Sequence, residues 1–119
     1  MLFRSNLLVN SAHALLRKDA PDRPRVIRIS TAVEVDEESE KANLRLCVDD
    51  SGPGIRDMPI LEVWLPGRTG RHNGTGLGLT IVRDIVTDLG GERLAYPEGD
   101  LGGARIAVWM PITEGGRVA

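Results

Sequence analysis

Two glycine-rich segments constrain the fold of this chain more than any other feature. They are residues 50–55, Asp-Ser-Gly-Pro-Gly-Ile, and residues 74–79, Gly-Thr-Gly-Leu-Gly-Leu. Glycine lets the backbone approach a ligand closely and adopts torsion angles that other residues avoid. An apolar helical pattern begins directly after the second segment, and a helix N-terminus presents unpaired N–H groups and a positive dipole end to an anion. The two segments therefore predict a pocket whose phosphate-binding end lies at residues 74–79.

Length and charge favour a single domain that binds neither nucleic acid nor membranes. The chain has 119 residues, and its formal net charge of -2 gives no field that would recruit a polyanion. No apolar run approaches the roughly 20 residues of a membrane span, so we expect no direct membrane insertion and a cytoplasmic location. The one cysteine, Cys47, lies in an apolar run and is predicted to be a buried thiol. We expect the domain to span residues 1–112, followed by a frayed tail at 113–119.

The periodicity of apolar residues predicts an α+β fold. Apolar positions at three- and four-residue spacing predict an amphipathic helix up to about Arg17 and a second helix that ends at Gly90-Gly91. Residues 55–73 have no clear period and contain proline and glycine, so we expect an irregular connection that serves as a lid. The acidic residues 36–40 read as a solvated hairpin turn, with a cation site as the alternative. β-branched or alternating runs predict strands at 26–35, 44–48, 94–96 and 106–110.

Three motifs in this order resemble the N, G1 and G2 boxes of sensor histidine kinases. They are Asn6-Leu7-Leu8-Val9-Asn10 and the two glycine-rich segments, and the resemblance extends from about Leu2 to Pro111. The wider group is the ATPase superfamily of gyrase, heat-shock chaperones, mismatch-repair proteins and histidine kinases. This resemblance implies a two-layer α/β sandwich with a mixed, mostly antiparallel sheet and helices on one face. It also implies a Bergerat-type ATP-binding fold shortened at its N-terminus, since only five residues precede Asn6.

The resemblance assigns roles to three polar side chains. Asn10 matches the Mg²⁺ ligand of the family, and an amide oxygen is a hard, neutral donor that suits Mg²⁺. Asn6 stands where the hydrolytic branches carry a glutamate that activates water, and an amide cannot accept that proton. Asp50 matches the carboxylate that accepts a hydrogen bond from the adenine 6-amino group, which favours adenine over guanine. Asp49 is a neighbouring carboxylate, but the register of the motif selects Asp50.

The resemblance also implies which residues surround ATP. Arg68 and Arg71 lie in the lid segment, where a guanidinium pairs with the terminal phosphate, although solvated lid charges are the alternative reading. Leu61 and Trp64 occupy positions of the F box that are usually phenylalanine. A threonine that many relatives carry near the adenine is replaced within residues 103–105. The remaining residues expected to bind ATP are Gly52, Gly54, Ile55, Gly74, Thr75, Gly76, Leu77, Gly78 and Leu79.

These features predict an ATP-binding catalytic domain that transfers the γ-phosphate to a histidine. The chain lacks the phosphoacceptor motif of the family, so the histidine is expected on another domain or chain, with a response regulator as the indirect partner. Asn6 and Asn10 are the candidate catalytic residues, and ATP and Mg²⁺ are the expected cofactors. The alternatives are a non-catalytic nucleotide-binding module and an anti-sigma-type protein-serine kinase. The shortened sheet edge also suggests a homodimer.

Overall fold

A computed structural model describes residues 2–66 and 78–112, including the side chains from Ser5 onward. Helices and strands follow each other as the apolar periodicity predicts, and the α+β class is confirmed. The predicted element bounds agree with the observed ones to within about two residues. The elements are α1 (Leu2–Leu15), β1 (Ile27–Val35), β2 (Ala42–Asp50), a 3₁₀ helix (Ile60–Trp64), α2 (Gly78–Asp88), β3 (Glu92–Tyr96) and β4 (Arg105–Pro111).

The four strands form one sheet in the order β1-β2-β4-β3, and every pair among them is antiparallel. Val48 at the centre of β2 pairs with Ile29 of β1 and Ile106 of β4. Because successive side chains alternate between the two faces, these three residues lie on the same face of the sheet. Both α1 and α2 pack on that face, with α1 against β2 and α2. The result is a two-layer arrangement, as expected.

The core lies between this face and the two helices. Val82 and Val86 of α2 and Val108 of β4 are fully buried, and Leu7 of α1 is 3% exposed. Cys47 is also buried, which confirms the sequence prediction. Within the two described ranges, no helix has the length and apolarity needed to cross a lipid bilayer.

The first helix buries only part of the apolar pattern that predicted it, which includes Leu7, Leu8, Leu15 and Leu16. Leu8 is 39% exposed and Leu16 is 71% exposed, whereas Ser11 is 1% exposed. The buried residues are Leu7, Ser11 and Leu15, which are four apart and share one side of the helix. The predicted helix is confirmed, but fewer of its apolar side chains are buried than the pattern suggests, because α1 contacts the sheet and α2 along only one side.

The connection after β2 is more ordered than the sequence predicted. Residues 60–64 form a 3₁₀ helix, and within it Val63 and Trp64 are buried in the core. Thr80 of α2 donates a hydrogen bond from Oγ1 to the Trp64 carbonyl at 2.9 Å, and the Arg93 guanidinium lies 5.1 Å from the centre of the Trp64 ring. Trp64, which the resemblance places in the F box, therefore anchors this part of the segment. Residues 67–73 of the expected lid lie outside the described residues.

The predicted end of α2 is confirmed. Gly90 has a φ of 73°, in the left-handed region that glycine adopts without strain, and the Gly91 N–H donates to the Val86 carbonyl. Beyond this turn the chain enters β3. Gly91 lies so close to the Trp109 carbonyl that a β-carbon would collide with it. Glycine is therefore needed at position 90 for the torsion angle and at position 91 for close packing on β4.

Candidate nucleotide-binding site

A cavity lies between α1, the end of β2 and the start of α2, and it brings together several predicted site residues. Asp50 stands at the last position of β2, Asn10 on α1 and Leu79 in the first turn of α2. Gly54 and Ile55 of the first glycine-rich segment complete that set. The full lining is Asn10, Ala14, Arg17, Asp50, Gly54, Ile55, Asp57, Met58, Val63, Leu79 and Ala104.

Strand alternation separates the two neighbouring carboxylates. Asp50 lies on the face of the sheet that carries the helices, where it lines the cavity. Asp49 lies on the opposite face, where Oδ1 accepts a hydrogen bond from Arg105 Nε at 2.7 Å. Both side chains are 1% exposed, so burial alone does not distinguish them. Only Asp50 is placed to contact a ligand in this cavity.

Backbone N–H groups hold the Asp50 carboxylate. Oδ1 accepts hydrogen bonds from Gly52 at 2.9 Å and from Ala104 at 3.3 Å. Burial raises the pKa of this carboxyl, and those two N–H groups, with the nearby Ser11 hydroxyl, offset part of the rise. Ser11 Oγ is buried and reaches no partner with full hydrogen-bond geometry among the described residues, so the backbone donors are the principal contacts. The arrangement orients one carboxylate oxygen firmly and keeps the group in a dry environment.

The loop that connects β3 to β4 closes over Asp50. The resemblance placed residues 103–105 near the adenine, but the sequence did not predict that this loop holds Asp50. Gly103 donates its N–H to the Asp50 carbonyl at 3.0 Å, and the Asp50 N–H donates to the Ala104 carbonyl at 3.1 Å. A β-carbon on Gly103 would collide with the Asp50 carboxylate and would lie 2.6 Å from the Gly52 nitrogen. The consecutive glycines 102 and 103 were the available sequence signal. They allow two stretches of backbone to meet around one buried carboxylate.

Charged side chains fasten the same loop to the far face of the sheet. Arg105 bonds to Asp49 through Nε and to Asp100 through Nη2, the latter at 2.8 Å. Arg28 of β1 contacts Asp100 at 3.2 Å and lies 3.8 Å from the second oxygen of Asp49. Arg105, followed by Arg28, lowers the pKa of Asp100. These ion pairs join residues of β1, β2 and β4 to the loop that supplies Gly103 and Ala104.

Helix α1 and the turn after it carry a polar stripe on the cavity side. Asn10 of α1 and Arg17 of the turn line the cavity, and Ala14 lies between them. Arg17 donates to Asp19 at 2.9 and 2.8 Å and lies 4.0 Å from Asp57, so nearby carboxylates neutralise its charge. Asn6, one turn before Asn10, is half-buried, and its Nδ2 has no hydrogen-bond partner among the described residues. The Asn10 amide is therefore the side chain of this stripe best suited to a cation in the cavity.

The expected phosphate end is only partly described. Gly78 begins α2, and the next residue, Leu79, is 3% exposed and lines the cavity. Gly74, Thr75, Gly76 and Leu77 lie outside the described residues, as do Arg68 and Arg71. Their roles remain predictions from the sequence.

The fold and this cavity define a class of protein that comparison with known families identifies. A family model described as histidine kinase-, DNA gyrase B- and HSP90-like ATPase matches residues 4–114. The chain belongs to this family. Among solved structures, a mycobacterial sensor histidine kinase, MprB, superimposes with a TM-score of 0.63 at 26% identity, over 96% of this chain and 70% of that one. The catalytic domain of the histidine kinase ThkA gives a TM-score of 0.58 at 25% identity, over 89% of this chain and 61% of that one.

Curated relatives are sensor kinases much longer than this chain. The sensor protein kinase CarS of Pseudomonas aeruginosa is 42% identical over 78 residues, which is 64% of this chain and 17% of CarS. The sensor histidine kinase ZraS of Salmonella typhimurium is 32% identical over 108 residues, which is 90% of this chain and 20% of ZraS. The chain thus spans about a fifth of the length of these relatives. It is a histidine kinase-like ATPase domain, and ATP is the nucleotide that its family implies.

The close approach of Gly103 to Asp50 predicts that a larger residue at position 103 destabilises the fold. Gly103→Ala is expected to lower the free energy of unfolding by about 3 kcal/mol, because the new methyl group has no space beside the carboxylate. Gly90→Ala is the matched control. Nothing lies within 4 Å of its β-carbon position, so only the left-handed backbone opposes alanine, at about 1 kcal/mol. Denaturant unfolding measures the free energy of unfolding of both variants, provided that the m-value is unchanged. Equal losses of stability in the two variants would contradict the close packing.

Burial of the Asp50 charge predicts that this carboxylate lowers the stability of the nucleotide-free protein at pH 7. Asp50→Asn keeps an oxygen acceptor for the two N–H groups and removes the buried charge, so the nucleotide-free variant should melt at a higher temperature at pH 7. The raised pKa means that the wild type loses stability as the pH rises from 3.8 through the folded-state pKa. The gain in melting temperature of Asp50→Asn over the wild type is therefore full above the folded-state pKa of Asp50 and shrinks as the pH falls to 3.8. Thermal melts across this range measure it.

The exposed Asp22 supplies the control for that measurement. Asp22→Asn changes the same chemical group at a residue of the α1 to β1 connection that is open to solvent. At pH 7 its melting temperature should equal that of the wild type, because the substitution removes no buried charge. A destabilised Asp50→Asn protein at pH 7 would show that the carboxylate charge is needed for folding, contrary to the prediction.

Proposed function

We propose that this domain binds Mg·ATP and transfers the γ-phosphate to a histidine on another domain or chain. The observation that carries the proposal is the placement of Asp50 and Asn10 in one cavity, beside the N-terminus of α2. Asp50 is a buried carboxylate suited to the adenine 6-amino group, and Asn10 is an amide suited to Mg²⁺ near the phosphates. Family membership supports the same ligand.

Positioning and charge neutralisation would drive this reaction. Phosphoryl transfer needs little covalent chemistry from the protein, and most of the catalysis comes from orientation and electrostatics. Asn6 and Asn10 are the candidate catalytic residues, and neither side chain is a base. Bound Mg²⁺ would neutralise charge on the phosphate oxygens. An amide at Asn6 disfavours activation of water, so transfer to a histidine acceptor is favoured over hydrolysis.

The names of the relatives support a role in two-component signalling. CarS, ZraS and MprB are named as sensor kinases. We extend that role to this chain, with a phosphoacceptor histidine as the direct partner and a response regulator as the indirect one. The proposal places the reaction in the cytoplasm, where ATP is available. Arg68 and Arg71 are proposed as phosphate contacts from the segment before the second glycine-rich motif.

Calorimetry with Mg·ATP tests binding. The wild type should bind, and Asn10→Ala should weaken Mg·ATP binding about tenfold, equivalent to ~1.4 kcal/mol, because it removes a metal ligand. The same variant should bind ATP in EDTA almost as the wild type does. Asn43→Ala, at a half-buried amide on β2 outside this cavity, is the control and should not change either value. A wild type that binds no nucleotide would contradict the proposal.

Phosphotransfer then separates the candidate activities. Incubation with γ-labelled ATP and a histidine-containing helical hairpin should give phosphate that is lost in acid and retained in base. A protein-serine kinase would give acid-stable phosphate on a serine. A non-catalytic nucleotide-binding module would bind ATP and label neither residue.

Strand β1 supports a second proposal, a homodimer formed through the sheet edge. β1 is at the edge of the sheet among the described strands, and its residues Ile29 and Val33 are more than half exposed. Antiparallel pairing of two copies about Thr31 would place Ile29 opposite Val33 and Arg28 opposite Glu34. The strand is therefore complementary to itself in both shape and charge.

Cross-linking tests this dimer. Thr31→Cys places two thiols opposite each other at the two-fold axis and should give a disulfide-linked dimer under mild oxidation. Val35→Cys is the control, since its thiol would face Ile27 of the second copy and should not cross-link. Gel filtration should give a dimer for the wild type. A monomer over the micromolar range, with no Thr31→Cys cross-link, would exclude this interface.

A further inference from the structure

We propose that Arg23 is a positioning residue for adenine recognition, because its guanidinium group fixes the two backbone segments that hold Asp50. This inference rests on the proposed function, in which Asp50 reads the adenine amine. Arg23 lies in the connection between α1 and β1, outside the three motifs, and does not line the cavity. Its effect on the site would therefore pass through the backbone rather than through contact with the nucleotide.

The first segment held by Arg23 is the turn directly after β2. Arg23 donates from Nε to the Ser51 carbonyl and from Nη2 to the Gly52 carbonyl, both at 3.0 Å. The planar guanidinium spans two successive carbonyl groups with two donors in a fixed fork. The Gly52 N–H in turn donates to Asp50 Oδ1. One side chain thus sets the orientation of the peptide groups that orient the carboxylate.

The second segment is the loop from residue 97 to 104. A β-carbon on Gly102 would lie 2.6 Å from both terminal nitrogens of Arg23, so the guanidinium rests directly against this glycine. Gly102 has a φ of 87° and precedes Gly103 and Ala104, whose N–H groups donate to Asp50. Arg23 therefore sits where the two segments around the carboxylate meet.

The connection that carries Arg23 is itself fastened to the same turn. Ser51 Oγ donates to the Pro24 carbonyl at 2.8 Å and accepts from the Val26 N–H at 2.8 Å, while the Ser51 N–H donates to the Val26 carbonyl. These bonds hold the backbone near Arg23 without its side chain. Loss of the guanidinium should consequently loosen the turn and the loop locally and leave the sheet intact.

Adenine-specific affinity distinguishes positioning from general stability. Inosine triphosphate carries a carbonyl where ATP carries the 6-amino group, so its position 6 has no hydrogen to donate to Asp50, but its triphosphate is the same. Arg23→Ala should weaken ATP binding about tenfold and change inosine triphosphate binding less than about twofold, where tenfold corresponds to ~1.4 kcal/mol. Arg23→Lys should fall between, because an ammonium group cannot span both carbonyls.

Arg25→Ala is the matched control. Arg25 is two residues along the same connection, is exposed, and has no hydrogen bond to the turn in the described structure. The Arg25→Ala substitution changes the net charge by the same amount as Arg23→Ala, so it reports any purely electrostatic effect on nucleotide binding. It should match the wild type for both nucleotides. Equal losses for the two nucleotides in Arg23→Ala, or no loss for either, would overturn the inference and leave the proposed function standing.

A measurement without nucleotide separates failure of this inference from failure of the proposed function. Amide hydrogen exchange of the free protein should be faster at Gly52, Gly103 and Ala104 in Arg23→Ala than in the wild type or Arg25→Ala, while Val108 in the core stays protected. Unchanged exchange at these three amides would overturn the positioning role. If the wild type binds no ATP, the proposed function fails, and the exchange result still decides whether Arg23 holds the two segments.

Discussion

The structure around the site depends on a carboxylate buried at the end of a strand. Asp50 ends β2 on the helix side of the sheet, where water does not reach it freely, and a charge in that position is unfavourable unless donors surround it. The protein supplies these donors from the backbone of two segments that are far apart in the chain. The turn after β2 and the loop before β4 must both approach closely, and Gly52 and Gly103 allow that approach. The buried charge therefore restricts which residues can stand at positions 52 and 103.

Arginine side chains hold those segments in place at two points. Arg23 bonds to the carbonyl groups of the turn, while Arg105 and Arg28 bind Asp49 and Asp100 on the far face. A rigid carboxylate discriminates between an amine and a carbonyl better than a mobile one, because little conformational freedom is lost on binding. The burial of this carboxylate has a cost in stability, because it raises the pKa of Asp50 and so disfavours the charged form. Such tension between stability and recognition is common at binding sites.

The sequence predicted the elements well and their burial less well. Periodicity located both α-helices and the four strands of the described residues, because an apolar pattern directly reflects which side of an element faces a core. It was less accurate for burial in the first helix and the turn after it, where Leu8 and Leu16 are exposed and Ser11 is buried. Which apolar side chains become covered depends on how far the neighbouring elements extend, and no local pattern contains that information. Trp64 shows the same limit, since a segment that looked irregular contributes a buried side chain to the core.

The sequence by itself determined the family and the two glycine-rich segments, because motifs of fixed spacing need only local geometry, and the register of the motif favoured Asp50 over Asp49. Tertiary structure gave the physical reason for that choice, since strand alternation puts Asp50 on the cavity side of the sheet and Asp49 on the other side. It also brought Arg23, Gly103 and Ala104 to the carboxylate. Gly103 and Ala104 are more than fifty residues from Asp50 in the chain, and Arg23 precedes it by 27. Contacts at such separation arise from strand pairing and loop closure. The sequence therefore placed residues 103–105 near the adenine without predicting their contact with Asp50, and no motif marked Arg23.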